Sequence, residues 1–593
     1  MLRAVVINQQ DESEGLTPKQ RGGTIINNIS NKLMIPAEPG KLSRNEGLKS
    51  SQPLLAGTIA STLADGSTDR FSEDDYEFLK FHGIYQQDDR DKRKVAKHYM
   101  LMVRTKFPGG VLSASQYLVC DKLAEEYGNN SLRITTRQDF QFHGIVKSNI
   151  RPAMKRLNEA LMSTIAACGD VERNVMASPT PATSPVVDQV LAEARRLSNS
   201  LAPKMPAYHQ IWLEGQQLDF SVESNANFVD PLYGKSYLPR KFKTAFAIPP
   251  LNDIDIFTND LGFVVIAEGG RLVGYNVLAG GGLGMSHGNA QTFPRLADVI
   301  GFVRPEHVES VAKAVLTIHR DFGDRANRKH ARLKYVLHER GVDWFRIEVE
   351  QRTGTKLEPA RPFEFTRQGD LLGWHQQMNG RYFLGLFIEN GRVCDADGYQ
   401  LKTGLREVIK RFEPEVRLTP SQNLLLVNIP KEQQGEIEKI LEGHGVSVAN
   451  PFSPTRLASM ACPALPTCGL ALAESERMLP GFLTRLEGLL AELGMARQEL
   501  TIRMTGCPNG CARPYTAEIA FVGKGPSKYQ LYLGGNDGNT RLNRLYKDSV
   551  KGEDLMNELR LVLTRYRDER RGGERFGDFC ARVLWAQEAS ILA

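Results

Sequence analysis

An internal repeat limits the folds that this chain can adopt. The segment SLRITTRQDFQFHGI at 131–145 aligns with EVRLTPSQNLLLVNI at 415–429. Upstream of each copy, GGVLSASQYLVCDKLAEEYG at 109–128 resembles DADGYQLKTGLREVIKRFEP at 395–414. Each copy has the pattern of a strand, a helix and a second strand, which predicts a small α+β half-domain present twice.

A weaker second repeat pairs GFVVIAEGGRLVGYNVLAGGG at 262–282 with IAFVGKGPSKYQLYLGGNDG at 519–538. In both segments two strand-like runs flank a glycine-containing turn. The order along the chain is therefore A-B-A′-B′. This order predicts a duplicated fold with pseudo-twofold symmetry and a functional site at the seam between the two halves.

Four of the eight cysteines form two close pairs, in ACPALPTC at 461–468 and in TGCPNGC at 505–511. Prolines and glycines in both stretches prevent a regular helix or a central strand, so the predicted sites lie in loops. Four thiolates are the usual ligand set of an iron–sulfur cluster. A zinc site is the main alternative, but the gap in the first pair does not fit the usual C-x2-4-C spacing.

The composition is that of an ordinary globular protein, with 593 residues, 24% charged and 41% hydrophobic residues, and a net charge of +6. This length predicts three to four domains. The small net charge gives no indication of a nucleic-acid partner. No apolar run is long enough to span a membrane, and the start of the sequence lacks the apolar core of a secretory signal, so we expect a cytoplasmic protein with reduced thiols.

The four-cysteine signature, together with TTRQDFQFHG, LPRKFK and GGGLGMSHGN, resembles the siroheme and 4Fe–4S superfamily of sulfite and nitrite reductases. Within it, the sequence is most similar to the haemoprotein subunits of assimilatory sulfite reductases. The resemblance implies a siroheme coupled to a 4Fe–4S cluster and a six-electron reduction of sulfite to sulfide. It also implies that Cys462, Cys468, Cys507 and Cys511 hold the cluster, with Cys511 as the bridge to the siroheme iron.

The fold implied by the resemblance is α+β, with duplicated ferredoxin-like half-domains and two siroheme- and cluster-binding α/β domains. The predicted boundaries are a flexible N-terminal arm at 1–70, half-domains at 71–165 and 371–450, a first siroheme-binding domain at 166–370, and a domain for the cluster and siroheme at 451–593.

Sulfite is a compact anion, and removing its oxygens as water requires positive charge and protons. By match to the family, the substrate-facing cations are Arg104, Arg173, Lys241 and Lys243. Arginine keeps its charge and offers fixed donors, whereas a crowded lysine can have a lowered pKa that suits proton delivery. Lys241 and Lys243 are two positions apart on an extended stretch, so we expect them to face the same side.

The resemblance implies siroheme contacts from six residues: Arg133, Arg137, Gln141, His143, Arg240 and Asn509. Four of these lie in RITTRQDFQFH at positions of the same parity, so the pattern predicts one strand face that lines the macrocycle. His143 is expected to line this ligand without being its axial ligand. The glycine-rich GGGLGMSHGN is a weak signal on its own, because it lacks the setting of a dinucleotide-binding loop.

The sequence has no convincing P-loop, dinucleotide fingerprint or flavin-binding domain, so electrons have to come from another protein. An NADPH-dependent flavoprotein subunit is the expected donor, and ferredoxin is the alternative; the N-terminal arm is the predicted docking element. Two other functions stay open at this point. One is assimilatory nitrite reduction, and the other is a non-catalytic iron–sulfur or zinc scaffold.

Overall fold

The computed structural model describes residues 41–181, 184–204, 211–213, 216–218 and 228–586. From Leu42 onward the chain belongs to one compact unit. No helix among these residues is long and apolar enough to cross a membrane. The helices are Arg44–Ser51, Ile59–Ala64, Glu73–Leu79, Ala114–Tyr127, Ile150–Glu159, Val187–Ser200, Val308–Phe322, Leu333–Arg340, Val342–Thr353, Leu401–Phe412, Gln434–Gly443, Pro454–Leu457, Leu479–Glu492, Leu555–Glu569 and Phe576–Phe579.

The two half-domains each form a five-stranded antiparallel sheet. In spatial order, the first sheet contains Ile84–Asp88, Tyr99–Arg104, Phe140–Ile145, Leu132–Ile134 and Arg392–Val393. The second sheet contains Gly373–Gln376, Tyr382–Leu386, Leu424–Ile429, Glu415–Leu418 and Val111–Leu112. The last strand of each sheet comes from the other half-domain, so the two copies exchange a strand.

The half-domains also share one hydrophobic core. Helix Ala114–Tyr127 begins at a capping box formed by Ser113 and Gln116, which fixes its first turn. It packs in the same apolar cluster as its counterpart, Leu401–Phe412, and as residues from both sheets. Most buried apolar residues of both sheets belong to this one cluster, so the two copies of the repeat share a core.

The second repeat forms two further five-stranded sheets with the same topology. The first has the order Met176–Ala177, Thr244–Ala247, Leu261–Glu268, Arg271–Ala279 and Asp298–Val303. The second has the order Met460–Ala461, Ile502–Thr505, Ile519–Gly525, Lys528–Leu533 and Arg544–Lys551. In both, the first three strands are parallel and the later pairs are antiparallel. The predicted duplicated α+β fold is therefore confirmed.

The described part of the predicted N-terminal arm is packed against the body. Residues 44–51 and 59–64 are helical. Lys49 is 2% exposed, and its ammonium group donates to Glu46 at 2.5 Å and to the carbonyl oxygen of Leu238 at 2.7 Å. In this described part the prediction of a loosely ordered arm is wrong, because the segment is helical and Glu46 and Lys49 make buried ion pairs with each other and with Arg325 and Asp170. Residues 1–40 lie outside the described residues.

Candidate functional site

The two cysteine pairs converge because they follow neighbouring parallel strands. Strands Met460–Ala461 and Ile502–Thr505 pair in parallel, so their carboxyl ends lie at the same edge of the sheet. Cys462 comes directly after the first strand, and Cys507 follows the second by two residues. The backbone N–H of Gly506 donates to the sulfur of Cys462 at 3.3 Å, which joins the two loops.

The four thiols lie close enough to influence each other's protonation. Burial is the largest cause that raises the pKa values of Cys462 and Cys507, and it raises the pKa of Cys468 to about 11. For each of these three thiols, the second-largest cause of the raised pKa is the nearby Cys511. Crowded buried thiolates need a compensating positive centre, which an iron–sulfur core supplies.

Within the described part of the chain, no group of three His, Cys, Asp or Glu side chains has the geometry to hold a single metal ion. The structure thus gives no support to the four-cysteine zinc alternative. Thiols that hold the corners of a larger inorganic core lie farther apart than the ligands of one ion.

A cavity lies beside Cys511, and its walls are strongly basic. Its lining includes Arg137, Lys241, Lys243, Arg332, Arg513 and Cys511. No aspartate or glutamate is among the described residues that line it. A cavity with several cations and no carboxylate in its lining is suited to an anionic or polycarboxylate ligand, because a bound anion would offset the buried positive charge.

Backbone pairing places the predicted substrate cations next to each other. The N–H of Phe242 donates to the carbonyl oxygen of Val171 at 3.1 Å, and the N–H of Arg173 donates to that of Phe242 at 3.0 Å. Arg173 therefore lies beside the stretch that carries Lys241 and Lys243. Both lysines line the cavity, as the prediction that they face the same side requires.

The electrostatic surroundings lower the pKa values of both lysines. Burial lowers the pKa of Lys241 to about 7, with further contributions from Arg332, Arg240 and Arg173. The pKa of Lys243 falls well below its ordinary value, first through burial and then through Arg137. A bound anion would oppose these effects by stabilising the ammonium forms.

Arg104 lies outside the cavity lining, on the strand that pairs with Phe140–Ile145. Its cross-strand partner is Gln141. With the Gln141 amide oriented so that its oxygen faces the guanidinium group, Arg104 Nε donates to it at 3.2 Å. Arg173 and Arg240 are likewise absent from the lining, and Arg173 Nε donates to the carbonyl oxygen of Gly169 at 2.9 Å. The substrate roles of Arg104 and Arg173 and the siroheme contact of Arg240 stay predictions.

The segment predicted as one strand face is a hairpin, so that prediction is wrong in its geometry. The chain turns after Ile134, where the N–H of Gln138 donates to Thr135 at 3.1 Å and Gln138 adopts a positive φ of 58°. The turn brings Arg137 into the cavity wall. On the returning strand, His143 Nε2 lies 3.4 Å from the side-chain amide of Gln141, whose nitrogen faces the imidazole when its oxygen faces Arg104.

Arg133 is 1% exposed, and its guanidinium group is occupied by protein partners. It donates to Glu476 at 3.2 Å and to the carbonyl oxygen of Ala461 at 2.7 Å. Glu476 also accepts from Arg392 at 2.7 Å, and its own N–H donates to the carbonyl oxygen of Cys462 at 3.1 Å. Arg133 thus supports the strand that precedes the first cysteine, and its predicted siroheme contact stays a prediction.

Several residues that line the site were not predicted from the sequence, among them Thr136, Arg332 and Arg513. The Nε and one terminal nitrogen of Arg513 are buried without a hydrogen-bond partner among the described residues. Arg332 is held by Asp260 at 2.8 Å. Arg513 follows Cys511 by two residues, and this closeness to the second cysteine pair could have marked it as a site residue. No motif marks Arg332. The unpaired donors of Arg513 and the basic lining fit a polycarboxylate such as siroheme.

The glycine-rich GGGLGMSHGN packs directly on the second cysteine loop. The N–H of Met285 donates to the carbonyl oxygen of Pro508 at 2.9 Å. A Cβ atom on Gly284 would lie 3.2 Å from the carbonyl oxygen of Asn509, so this close approach favours glycine. Gly284 and Asn509 both line the cavity. The weak sequence signal therefore marks a wall of the site.

Two family models match the chain. The nitrite/sulfite reductase ferredoxin-like half domain matches residues 93–160 and 375–444, and the nitrite and sulphite reductase 4Fe-4S domain matches residues 192–357. The second match lies in the half that lacks the cysteine pairs, and the half with the cysteines repeats its strand order.

Curated relatives match nearly the whole chain. The sulfite reductase [NADPH] hemoprotein beta-component of Myxococcus xanthus is 48% identical over 92% of this chain and 97% of that protein. The protein of the same name from Oceanobacillus iheyensis is 47% identical over 94% of this chain and 97% of its own length. In fold, the chain is similar to the Mycobacterium tuberculosis NirA protein, with a TM-score of 0.75, 24% identity, and coverage of 91% of this chain and 96% of that one.

Proposed function

We propose that this chain, which belongs to the nitrite and sulfite reductase family, reduces sulfite to sulfide in assimilatory sulfur metabolism. Its cofactors are a siroheme and a 4Fe–4S cluster. The observation that carries this proposal is the cavity lined by Arg137, Lys241, Lys243, Arg332 and Arg513, with Cys511 in the same wall. A thiol beside a basic cavity is what a cluster coupled to an anionic macrocycle requires.

The residues divide into two binding groups. Cys462, Cys468, Cys507 and Cys511 would hold the cluster, and Cys511 would also bridge to the siroheme because it alone of the four lines the cavity. Arg137, Arg332 and Arg513 would neutralise the siroheme carboxylates. When bound, the two cofactors together supply electrons to the sulfur atom.

The protein side chains supply charge and protons. Each sulfite dianion takes up six electrons and eight protons to give hydrogen sulfide and three water molecules, so the site has to hold an anion and deliver protons repeatedly. Arg104 and Arg173 would fix the sulfite oxygens through permanently charged donors. Lys241, whose pKa is about 7, can release and regain a proton near neutral pH. Lys243 beside it would serve as a second donor.

We infer that the electron donor is an NADPH-dependent flavoprotein component, since the names of the Myxococcus and Oceanobacillus relatives specify NADPH and a beta-component. The site described above accounts for the terminal reduction only.

Two measurements test this function. The purified protein should absorb visible light as a siroheme protein does and contain iron and acid-labile sulfide; a colourless protein that contains zinc would refute the proposal. With reduced methyl viologen as the only donor, sulfite turnover should exceed nitrite turnover. A strong preference for nitrite would assign the chain to the nitrite-reducing branch of its family.

A further inference from the structure

The loop at residues 89–98, here called the basic loop, lies against the loop of the first cysteine pair. It connects strands Ile84–Asp88 and Tyr99–Arg104 of the first sheet. The N–H of Arg90 donates to the carbonyl oxygen of Pro466 at 3.2 Å. The guanidinium group of Arg90 donates to Ala471 and reaches the carbonyl oxygen of Cys468 at 3.5 Å. Arg90 therefore fixes the basic loop to the outer side of the cluster site.

The rest of the basic loop is exposed and positively charged. Every residue from 91 to 98 is exposed. In the described part of the chain, Lys94 and Lys97 have no ion-pair partner, whereas Lys92 lies 3.6 Å from Asp89. Val95 is 91% exposed, which is unusual for an aliphatic side chain and leaves an apolar contact point between the lysines.

The adjoining cysteine loop reaches the same surface. Cys468 is partly exposed, and Leu470 is 67% exposed. Cys462 and Cys507 are buried, whereas Cys511 is exposed and lines the basic cavity. Of the four cysteines, Cys468 is therefore the one that lies beside the basic loop, while Cys511 faces the site of reduction. Electrons that enter at Cys468 and leave through Cys511 would cross the cluster from one side to the other.

We propose that the basic loop and residues 468–471 form the docking surface for an acidic, flavin-bearing electron-carrier domain. This inference rests on the proposed function and adds the location of electron entry. In each docking event the reduced flavin loses one electron and the cluster gains one. Exposed lysines around small apolar contacts suit a transient complex that is steered by charge and dissociates after each transfer.

The test uses the full-length holoenzyme with two electron donors. Lys94→Glu combined with Lys97→Glu reverses both unpaired charges. The control, Lys410→Glu combined with Lys439→Glu, makes the same change in net charge on exposed lysines of helices Leu401–Phe412 and Gln434–Gly443. Sulfite reduction is measured with photoreduced flavodoxin over a range of salt concentrations, and with reduced methyl viologen.

The docking variant should raise the KM for flavodoxin about tenfold relative to the control variant and weaken its dependence on salt. Its turnover with methyl viologen should equal that of the wild type. An unchanged KM for flavodoxin would overturn the docking surface. Reduced ferredoxin is assayed as a further donor. If the docking variant raises the KM for ferredoxin and leaves the KM for flavodoxin unchanged, the flavin-bearing partner is overturned. If the wild type fails to reduce sulfite with methyl viologen, the proposed function itself is refuted, and this outcome is separate from both others.

Discussion

The hydroxyl group of Thr136 donates a hydrogen bond of 2.9 Å to the carbonyl oxygen of Cys511. Thr136 lies in the hairpin turn of the first half-domain, and Cys511 closes the second cysteine pair at the far end of the chain. This contact joins the two halves at the seam. It fixes the backbone of the residue that would bridge the two cofactors, and the neighbouring Arg137 lines the same cavity.

Replacing this hydroxyl should loosen the Cys511 loop. In Thr136→Val, loss of the hydrogen bond costs about 1 kcal/mol, so we expect sulfite turnover with reduced methyl viologen to fall about fivefold. Thr136→Ser keeps the hydroxyl and should retain most of the activity. Equal turnover of the valine and serine variants would contradict a positioning role for Thr136.

Removing the thiol of Cys511 should separate the two cofactors. In Cys511→Ser we expect sulfite reduction to fall at least about a thousandfold, because the preorganised route for electrons is lost. Electron paramagnetic resonance should then show uncoupled signals. Cys394→Ser, at a cysteine outside the two pairs, is the control and should leave activity and spectrum intact. A fully active Cys511→Ser enzyme would remove the bridging role.

Anion binding to the siroheme-free protein should weaken with rising pH. The pKa of Lys241 is about 7, so its ammonium form predominates below pH 7 and its neutral form above. Between pH 6 and pH 8 we expect the affinity for inorganic sulfate, which keeps its charge over this range, to fall about tenfold as measured by calorimetry. Lys241→Met should make the affinity lower and less dependent on pH.

Three buried carboxyl groups titrate over part of the same range, because burial also raises the pKa values of Asp139 and Asp253 to about 7. Burial raises the pKa of Glu172 to about 8, so this group becomes negative at the upper end and also disfavours an anion. Glu172→Gln therefore serves as the matched variant. A pH dependence that survives in Lys241→Met but disappears in Glu172→Gln would assign the effect to the glutamate and contradict the role given to Lys241.

The carboxylate of Glu476 should stabilise the fold more than an exposed neighbour does. In Glu476→Gln, Arg133 and Arg392 lose their shared anion, and the free energy of unfolding should fall by about 3 kcal/mol. Glu474→Gln removes a more exposed ion pair with Arg477 and should change the free energy of unfolding by no more than about 0.5 kcal/mol. Urea denaturation measures both. Similar losses in the two variants would contradict this difference.

The same carboxylate should make stability depend on pH in the acid range. Arg133 and Arg392 lower the pKa of Glu476 to about 2, below its ordinary value of 4.5 and despite burial that acts in the opposite direction. The stabilisation is complete above pH 4.5 and is lost as the pH falls towards 2. The difference in stability between wild type and Glu476→Gln should therefore shrink over this interval.

Local sequence patterns predicted the duplicated fold and the cysteine loops, because periodicity, proline and glycine act over short distances. They did not predict that Arg392–Val393 and Val111–Leu112 each pair with the sheet of the other half-domain, since strand pairing depends on contacts between residues that are far apart in the sequence. The hairpin at Gln138 was missed because a positive φ outside glycine leaves no clear signal. Arg332 was missed because its position depends on Asp260, which is distant in sequence.

The exchange of strands has a consequence for how the two halves could diverge. A dimer of identical chains must place the same side chains on both sides of its axis. One chain that carries both copies is free of this requirement. The loop after Ile502–Thr505 can therefore hold thiols, while the equivalent loop after Thr244–Ala247 holds Asp255, which accepts from Thr516 at 3.0 Å. The interlocked backbone keeps the symmetry of the scaffold, and the covalent link permits a single, asymmetric reaction centre.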